Sequence, residues 1–258
     1  MNGFLDQHII VTGASTGIGV ATAHMLARRG AKVSLIARSK TALEAAVANI
    51  KGEGGNAAYG VADVADKTAL LGAIDAAEAN FGPVDGLFAN AGTGGSFAPF
   101  TAYDDDVWDS VLATNLTGVF QSMKRVLPGM LARKRGSIVV TGSLSSERGM
   151  ANNPAYVASK HAVLGLSRAA ALEAAPHNVR VNCLLPGLIE TPLLHSIGGA
   201  DIPAAMAAMA RNVPQGRIGT ADEAAEVACF LLSDAARHVT GQALAVDGGI
   251  LGTLSLGV

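Results

Sequence analysis

Short apolar runs alternate with longer, alanine-rich amphipathic stretches along the chain, and this alternation restricts the fold more than any other feature. Strand-like runs lie near residues 8–12, 32–37, 57–61, 84–89, 137–141, 179–184 and 243–246. Helix-period stretches fall near 18–29, 40–50, 67–80, 107–131, 155–173 and 221–232. Strand, helix and strand in succession imply parallel pairing through right-handed crossovers, with helices covering both faces of the sheet. The runs (IIV, VSLIA, IVV) are almost wholly apolar, as strands buried on both faces require. The expected fold is an α/β doubly wound parallel sheet of seven strands. No Pro- or Ser-rich linker divides the 258 residues, so one domain over 1–258 is expected. Residues 188–214 fall outside the alternation and read as an insertion that closes over a site, a substrate lid.

Glycine is 31 of 258 residues, well above the usual ~7%, with no collagen-like period or repeat. So many glycines among apolar runs point to tight strand-to-helix turns. Charge points away from a polyanion partner: 19 Lys and Arg face 21 Asp and Glu, for a net charge of −2. With one Trp and three Tyr there is no stacking platform either, so nucleic acid is not an expected partner. No apolar run approaches the ~18 residues of a spanning helix, so no membrane association is expected. The start, MNGFLDQ, lacks the basic and apolar regions of a secretory signal. Cys183 and Cys229 sit in apolar runs and read as buried thiols of a cytoplasmic protein. The six His show no metal-ligand spacing, and no metal is expected.

After the first strand comes TGASTGIG, residues 12–19. Gly13 permits a tight turn, Gly17 lets backbone amides approach a pyrophosphate, and Gly19 lets the next helix pack on the sheet. The helix N-terminus then offers unpaired N–H groups and its positive dipole end to the phosphates. Further along, Tyr156 and Lys160 stand four apart on one helix face. A phenol with a reference pKa of about 10 becomes a more usable base near neutrality when a neighbouring ammonium favours its ionised form. Tyr156 can then give a proton to a carbonyl oxygen or take one from an alcohol. Ser143, at the end of the fifth strand, can orient the substrate oxygen and stabilise charge developing on it.

The chain resembles a short-chain dehydrogenase/reductase of the compact, single-domain branch. The resemblance rests on TGASTGIG, Asp63-Val64, Asn90-Ala91-Gly92, Asn115, Ser143, Tyr156 with Lys160, Pro186-Gly187 and Asp247-Gly248-Gly249, in that order. It implies a Rossmann-like sheet of order 3-2-1-4-5-6-7, hydride transfer between NADP(H) or NAD(H) and a small alcohol or ketone, and a homotetramer. It assigns Ser143, Tyr156, Lys160 and Asn115 to catalysis, with Asn115 holding a water in a proton relay and Lys160 also holding the nicotinamide ribose. It assigns Gly13, Ser15, Thr16, Gly17, Ile18 and Gly19 to the cofactor, with Arg38, Ser39, Asp63, Val64, Asn90, Ala91, Gly92, Pro186, Gly187, Ile189 and Thr191. Ala37 occupies the place where NAD-using members carry an Asp, and Arg38 follows it. Arg38 and Ser39 therefore suit the 2′-phosphate of NADP, although Thr16 departs from the basic residue of many NADP-using members.

Several polar residues have a plainer alternative. Arg38 could be a solvated residue at a helix start, and Asp63 a helix cap instead of an adenine contact. Asn90 reads as partly structural, Asp247 as a sheet-end turn, Asp104–Asp106 as helix-start charges, and Met206 and Met209 as helix packing. Glu147, Arg148 and Asn153 lie near any substrate, as contacts or as exposed loop; His195 reads more simply as solvated. Phe97, Leu144, Met150, Leu188 and Leu193 favour an apolar substrate body. The apolar end, GILGTLSLGV, is expected against a neighbouring subunit or the pocket. Three other readings compete: an NAD-preferring alcohol or sugar dehydrogenase, an epimerase or dehydratase of the longer branch, and a non-catalytic nucleotide sensor. The longer branch needs a TGxxGxxG loop and a separate substrate domain, and a sensor commonly lacks the Tyr or Lys.

Overall fold

The computed structural model describes residues 3–196 and 201–253. Seven strands alternate with helices in the expected way. In chain order they are β1 (His8–Thr12), α1 (Gly17–Arg28), β2 (Lys32–Ala37), α2 (Lys40–Gly52), β3 (Asn56–Val61), α3 (Lys67–Phe81) and β4 (Gly86–Ala89). There follow α4 (Asp105–Leu112), α5 (Gly118–Arg133), β5 (Gly136–Thr141), α6 (Pro154–Ala174), β6 (Val179–Pro186), α7 (Pro192–His195), α8 (Ile202–Ala210), α9 (Ala221–Leu232) and β7 (Ala243–Val246). All pairs are parallel, and the order is β3-β2-β1-β4-β5-β6-β7.

Alternate strand residues point to opposite faces and build two cores. Ile9, Val11, Val33 and Leu35 pack with Leu26 of α1, Leu43 and Ile50 of α2 and Leu231 of α9. Ile10, Ile36 and Leu87 pack on the other face with Leu70 and Ile74 of α3, Met123 of α5 and Val163 of α6. Each fully buried aliphatic side chain of this kind contributes about 1.5–3 kcal/mol relative to exposure. Burial is complete along β1, β4 and β6, whereas edge strands β3 and β7 are partly exposed. Among the described residues, buried polar side chains all find partners. Arg180 on β6 donates to the carbonyls of Leu231, Leu232 and Ser233 and so closes the C-terminus of α9.

One expected helix needs correction. Residues 107–131 read as a single α-helix, but α4 and α5 are joined by a π-helical turn over Ala113–Thr117 that contains Asn115. The segment 188–214, expected as a lid, contains α7 and α8, and residues 197–200 lie outside the described residues. Met206 and Met209 on α8 are only half-buried. Residues 254–258 of the apolar C-terminal stretch also lie outside, while Leu251 packs against Leu164, Cys183 and Leu185. Among the described residues, no helix is long and apolar enough to cross a membrane.

Candidate active site

The strand order reverses direction between β1 and β4, and a cleft of about 500 Å³ opens there at the carboxyl ends of the strands. All the expected site residues line it except Gly19 and Asn115. Gly13 and Gly17 have φ of +65° and +55°, a region L side chains rarely adopt. At Gly19, a Cβ would lie 2.3 Å from the Gly13 carbonyl oxygen, so only glycine lets α1 pack this closely.

The start of α1 differs from its neighbours. α2, α3, α4, α6 and α9 are capped by side chains of Ser39, Asp66, Asp104, Asn153 and Thr220. Thr16 makes no such bond, and the first turn of α1 holds no acidic residue. Its amides and dipole are left for an anion, so the residues present fit a dinucleotide pyrophosphate.

Arg38 and Asp63 stand at the end of the cleft where β2 and β3 finish. The Arg38 side chain is 79% exposed, with Nη1 3.8 Å from Asp63 Oδ2. Ser39 Oγ accepts from the Ala42 amide and so starts α2. Asp63 accepts from the Ala65 amide, but Asp66, not Asp63, caps α3. Asn90 ties three strand ends: its Nδ2 donates to the carbonyls of Thr12 and Gly13, and its Oδ1 accepts from Thr141 Oγ1. Asp247 is a turn residue, accepting from the amides of Gly249 and Leu251.

At the other end of the cleft stand Ser143, Tyr156 and Lys160. Lys160 Nζ lies 5.6 Å from the centroid of the Tyr156 ring and donates to the Thr141 carbonyl at 2.8 Å. Burial lowers the ammonium's pKa to about 8, partly opposed by Cys183. The Tyr156 phenol moves the other way. Burial raises it above its ordinary value, while hydrogen bonding from Ser143 favours the ionised form and offsets part of that rise. Of these two effects desolvation is the larger, so the net shift from the protein's own groups is upward.

Asn115 lies behind the wall. It is buried, its Oδ1 accepts from the Thr93 amide, and its Nδ2 donates to the Thr93 carbonyl and Ser159 Oγ. Asn153 has the defined place that its sequence left open. Buried, it caps α6 through the Tyr156 amide, donates to the Gly94 carbonyl at 2.7 Å and accepts from Tyr103 Oη. The Asn-Pro pair before a helical pattern is the sequence signal for that cap. Glu147 and Arg148 are exposed and outside the cleft wall. Leu144, Met150, Leu188 and Leu193 line the cleft, whereas Phe97 does not and is 48% exposed. His195 Nε2 lies 3.9 Å from Glu190 outside the cleft wall, and His161 bonds the Val157 carbonyl of its own helix.

A parallel sheet with a glycine loop and an uncapped helix start at its switch point is a dinucleotide-binding architecture. Residues 13–251 match the family model described as enoyl-(acyl carrier protein) reductase. The chain is 40% identical to cis-4-hydroxycyclohexanecarboxylate dehydrogenase of Sinomonas cyclohexanicum, over 95% of this chain and 97% of that one. It is 38% identical to cyclohexanol dehydrogenase of an Acinetobacter species (strain SE19), over 96% of both. Levodione reductase has a similar solved structure, with TM-score 0.94 and 35% identity over 97% of this chain and 100% of that one. A variant of actinorhodin polyketide ketoreductase with NADPH gives 0.90 and 34%, over 97% and 98%. NAD+-bound xylitol dehydrogenase gives 0.89 and 36%, over 95% and 99%. The chain belongs to the short-chain dehydrogenase/reductase family, NAD(P)-dependent oxidoreductases acting on CH–OH groups.

Proposed function

We propose that this protein interconverts a secondary alcohol and a ketone with NADP(H), using Tyr156 as general acid and base. The observation that carries the reading is the convergence of Ser143, Tyr156 and Lys160 at one end of the cleft whose other end is built for a dinucleotide. When bound, the dinucleotide supplies the hydride donor or acceptor. In reduction, the Tyr156 phenol gives its proton to the carbonyl oxygen; in oxidation, the phenolate takes it from the alcohol. Ser143 orients that oxygen and stabilises its developing charge. Lys160 stays cationic below about pH 8, favours the ionised phenol and holds the nicotinamide ribose. Asn115, fixed to Thr93 and Ser159, positions a water for the relay behind Lys160.

Arg38 and Ser39 hold the 2′-phosphate, in a place where no carboxylate follows Leu35-Ile36 on β2. NAD is the second reading. The Asp63 carboxylate beside Arg38 favours it, and the named neighbours divide between NADPH and NAD+. Residues 188–214 act as a lid, and Phe120 and Leu172, exposed on long helices, suit contact between subunits of a homotetramer in the cytoplasm. The test is absorbance at the reduced-nicotinamide band across a panel of secondary alcohols and ketones with both cofactors. Turnover with none of them overturns the reading.

A further inference from the structure

The wall beside Tyr156 carries information about the substrate itself. A Cβ on Gly94 would lie 3.2 Å from Leu193 Cδ1, so α7 rests against the loop after β4 and roofs this end of the cleft. Leu144, Met150, Leu188 and Leu193 form its apolar surface. Uncharged polar side chains, Ser143 and Asn153 among them, complete it, and Asn153 already bonds the Gly94 carbonyl, the Tyr156 amide and Tyr103 Oη.

Among the described residues, three charged side chains line the cleft: Arg38, Asp63 and Lys160. The first two pair at the opposite end, and Lys160 is buried in the floor against the Thr141 carbonyl. Charges on neighbouring elements are engaged elsewhere or face solvent. Arg148 donates to the Leu251 carbonyl, and Glu190 faces His195 outside the cleft wall. Asp201 caps α8, and Arg211 is exposed beyond its end.

We infer that the substrate end accepts an uncharged, largely apolar alcohol or ketone and rejects one carrying a carboxylate near the reacting carbon. An anion placed there loses its water and gains no counter-ion, a cost the neutral analogue escapes. The inference rests on the alcohol–ketone reading above.

The test compares kcat/KM of the full-length protein for cyclohexanol and for cis-4-hydroxycyclohexanecarboxylate, with NADP+ and with NAD+. Cyclohexanol is expected to win by at least ~100-fold. Met150→Arg, which places a cation on this wall, is expected to narrow that ratio by at least ~10-fold. A wild-type ratio below ~100, or an unchanged ratio in a Met150→Arg protein that still oxidises cyclohexanol, overturns the inference and leaves the alcohol–ketone reading standing. Failure to oxidise any secondary alcohol or reduce any ketone removes that reading and the inference with it.

Discussion

Lys160 Nζ donates to the carbonyl oxygen of Thr141 at 2.8 Å, and burial, with no carboxylate beside it, dominates its titration. The ammonium therefore holds its proton less tightly in the folded chain, at about 8, than in the unfolded one, at 10.5. Below pH 8 the folded state carries a buried charge at full cost; that cost fades as pH rises from about 8 to 10.5. Lys160→Met is expected to stabilise the cofactor-free protein at pH 7 by about 1–3 kcal/mol while abolishing activity. Paired thermal melts of wild type and variant check this. A stability gain that grows between pH 8 and 10 would contradict the sign.

Tyr156→Phe removes the proton donor and little else. Turnover is expected to fall by about 10²–10⁴-fold, with dinucleotide binding, read by quenching of the Trp108 fluorescence or by calorimetry, essentially kept. Turnover within a few-fold of wild type would exclude Tyr156 as the acid.

Arg38 is expected to give NADP(H) roughly a 10–100-fold advantage in kcat/KM, the effect of one charge-assisted contact to a phosphate. Ala37→Asp with Arg38→Ile should reverse it, by repelling the phosphate and accepting from ribose hydroxyls. Steady-state kinetics with NADPH and NADH on one ketone decide the matter. Better performance with NADH in the wild type makes Arg38 a solvated helix-start residue.

Asn153→Ala removes the α6 cap and strands the Gly94 carbonyl. A loss of about 1–2 kcal/mol is expected, a drop in Tm of roughly 2–8 °C at this chain length. Because Tyr156 is the residue whose amide is released, kcat should fall more than the affinity for the dinucleotide. Equal loss in both, with Tm unchanged, would show that the cap does not position the phenol.

Oligomeric state is read by static light scattering at micromolar concentration. A homotetramer of 26.0 kDa chains is expected, and a particle of one chain's mass would remove it.

The sheet was legible because its central strands are buried on both faces and say so residue by residue, as Ile9 to Val11 do. The glycine loop was legible because Gly13 and Gly17 need positive φ, and few other residues tolerate it. The π-helical turn at Asn115 was not, since one inserted residue shifts the helical phase once, by about 100°, and no residue type marks where the shift falls. The role of Asn153 is not legible because its three partners come from separate segments, and only folding brings Tyr103 and Gly94 to it. The raised Tyr156 phenol could not be read from the Tyr–Lys spacing, which shows neighbours but not how much water they exclude.

The bonds around Asn90 also bear on how the protein tolerates change. Gly13 in the glycine loop, Asn90, Thr141 and Lys160 form one continuous brace, carried by Asn90 Nδ2, the Thr141 hydroxyl and the Thr141 carbonyl. On the proposed mechanism, the loop for the phosphates and the lysine beside the phenol share a single crossbeam. Substitutions that slacken Asn90 are then expected to degrade dinucleotide binding and turnover together, where a change on the roof over the substrate would reach turnover alone.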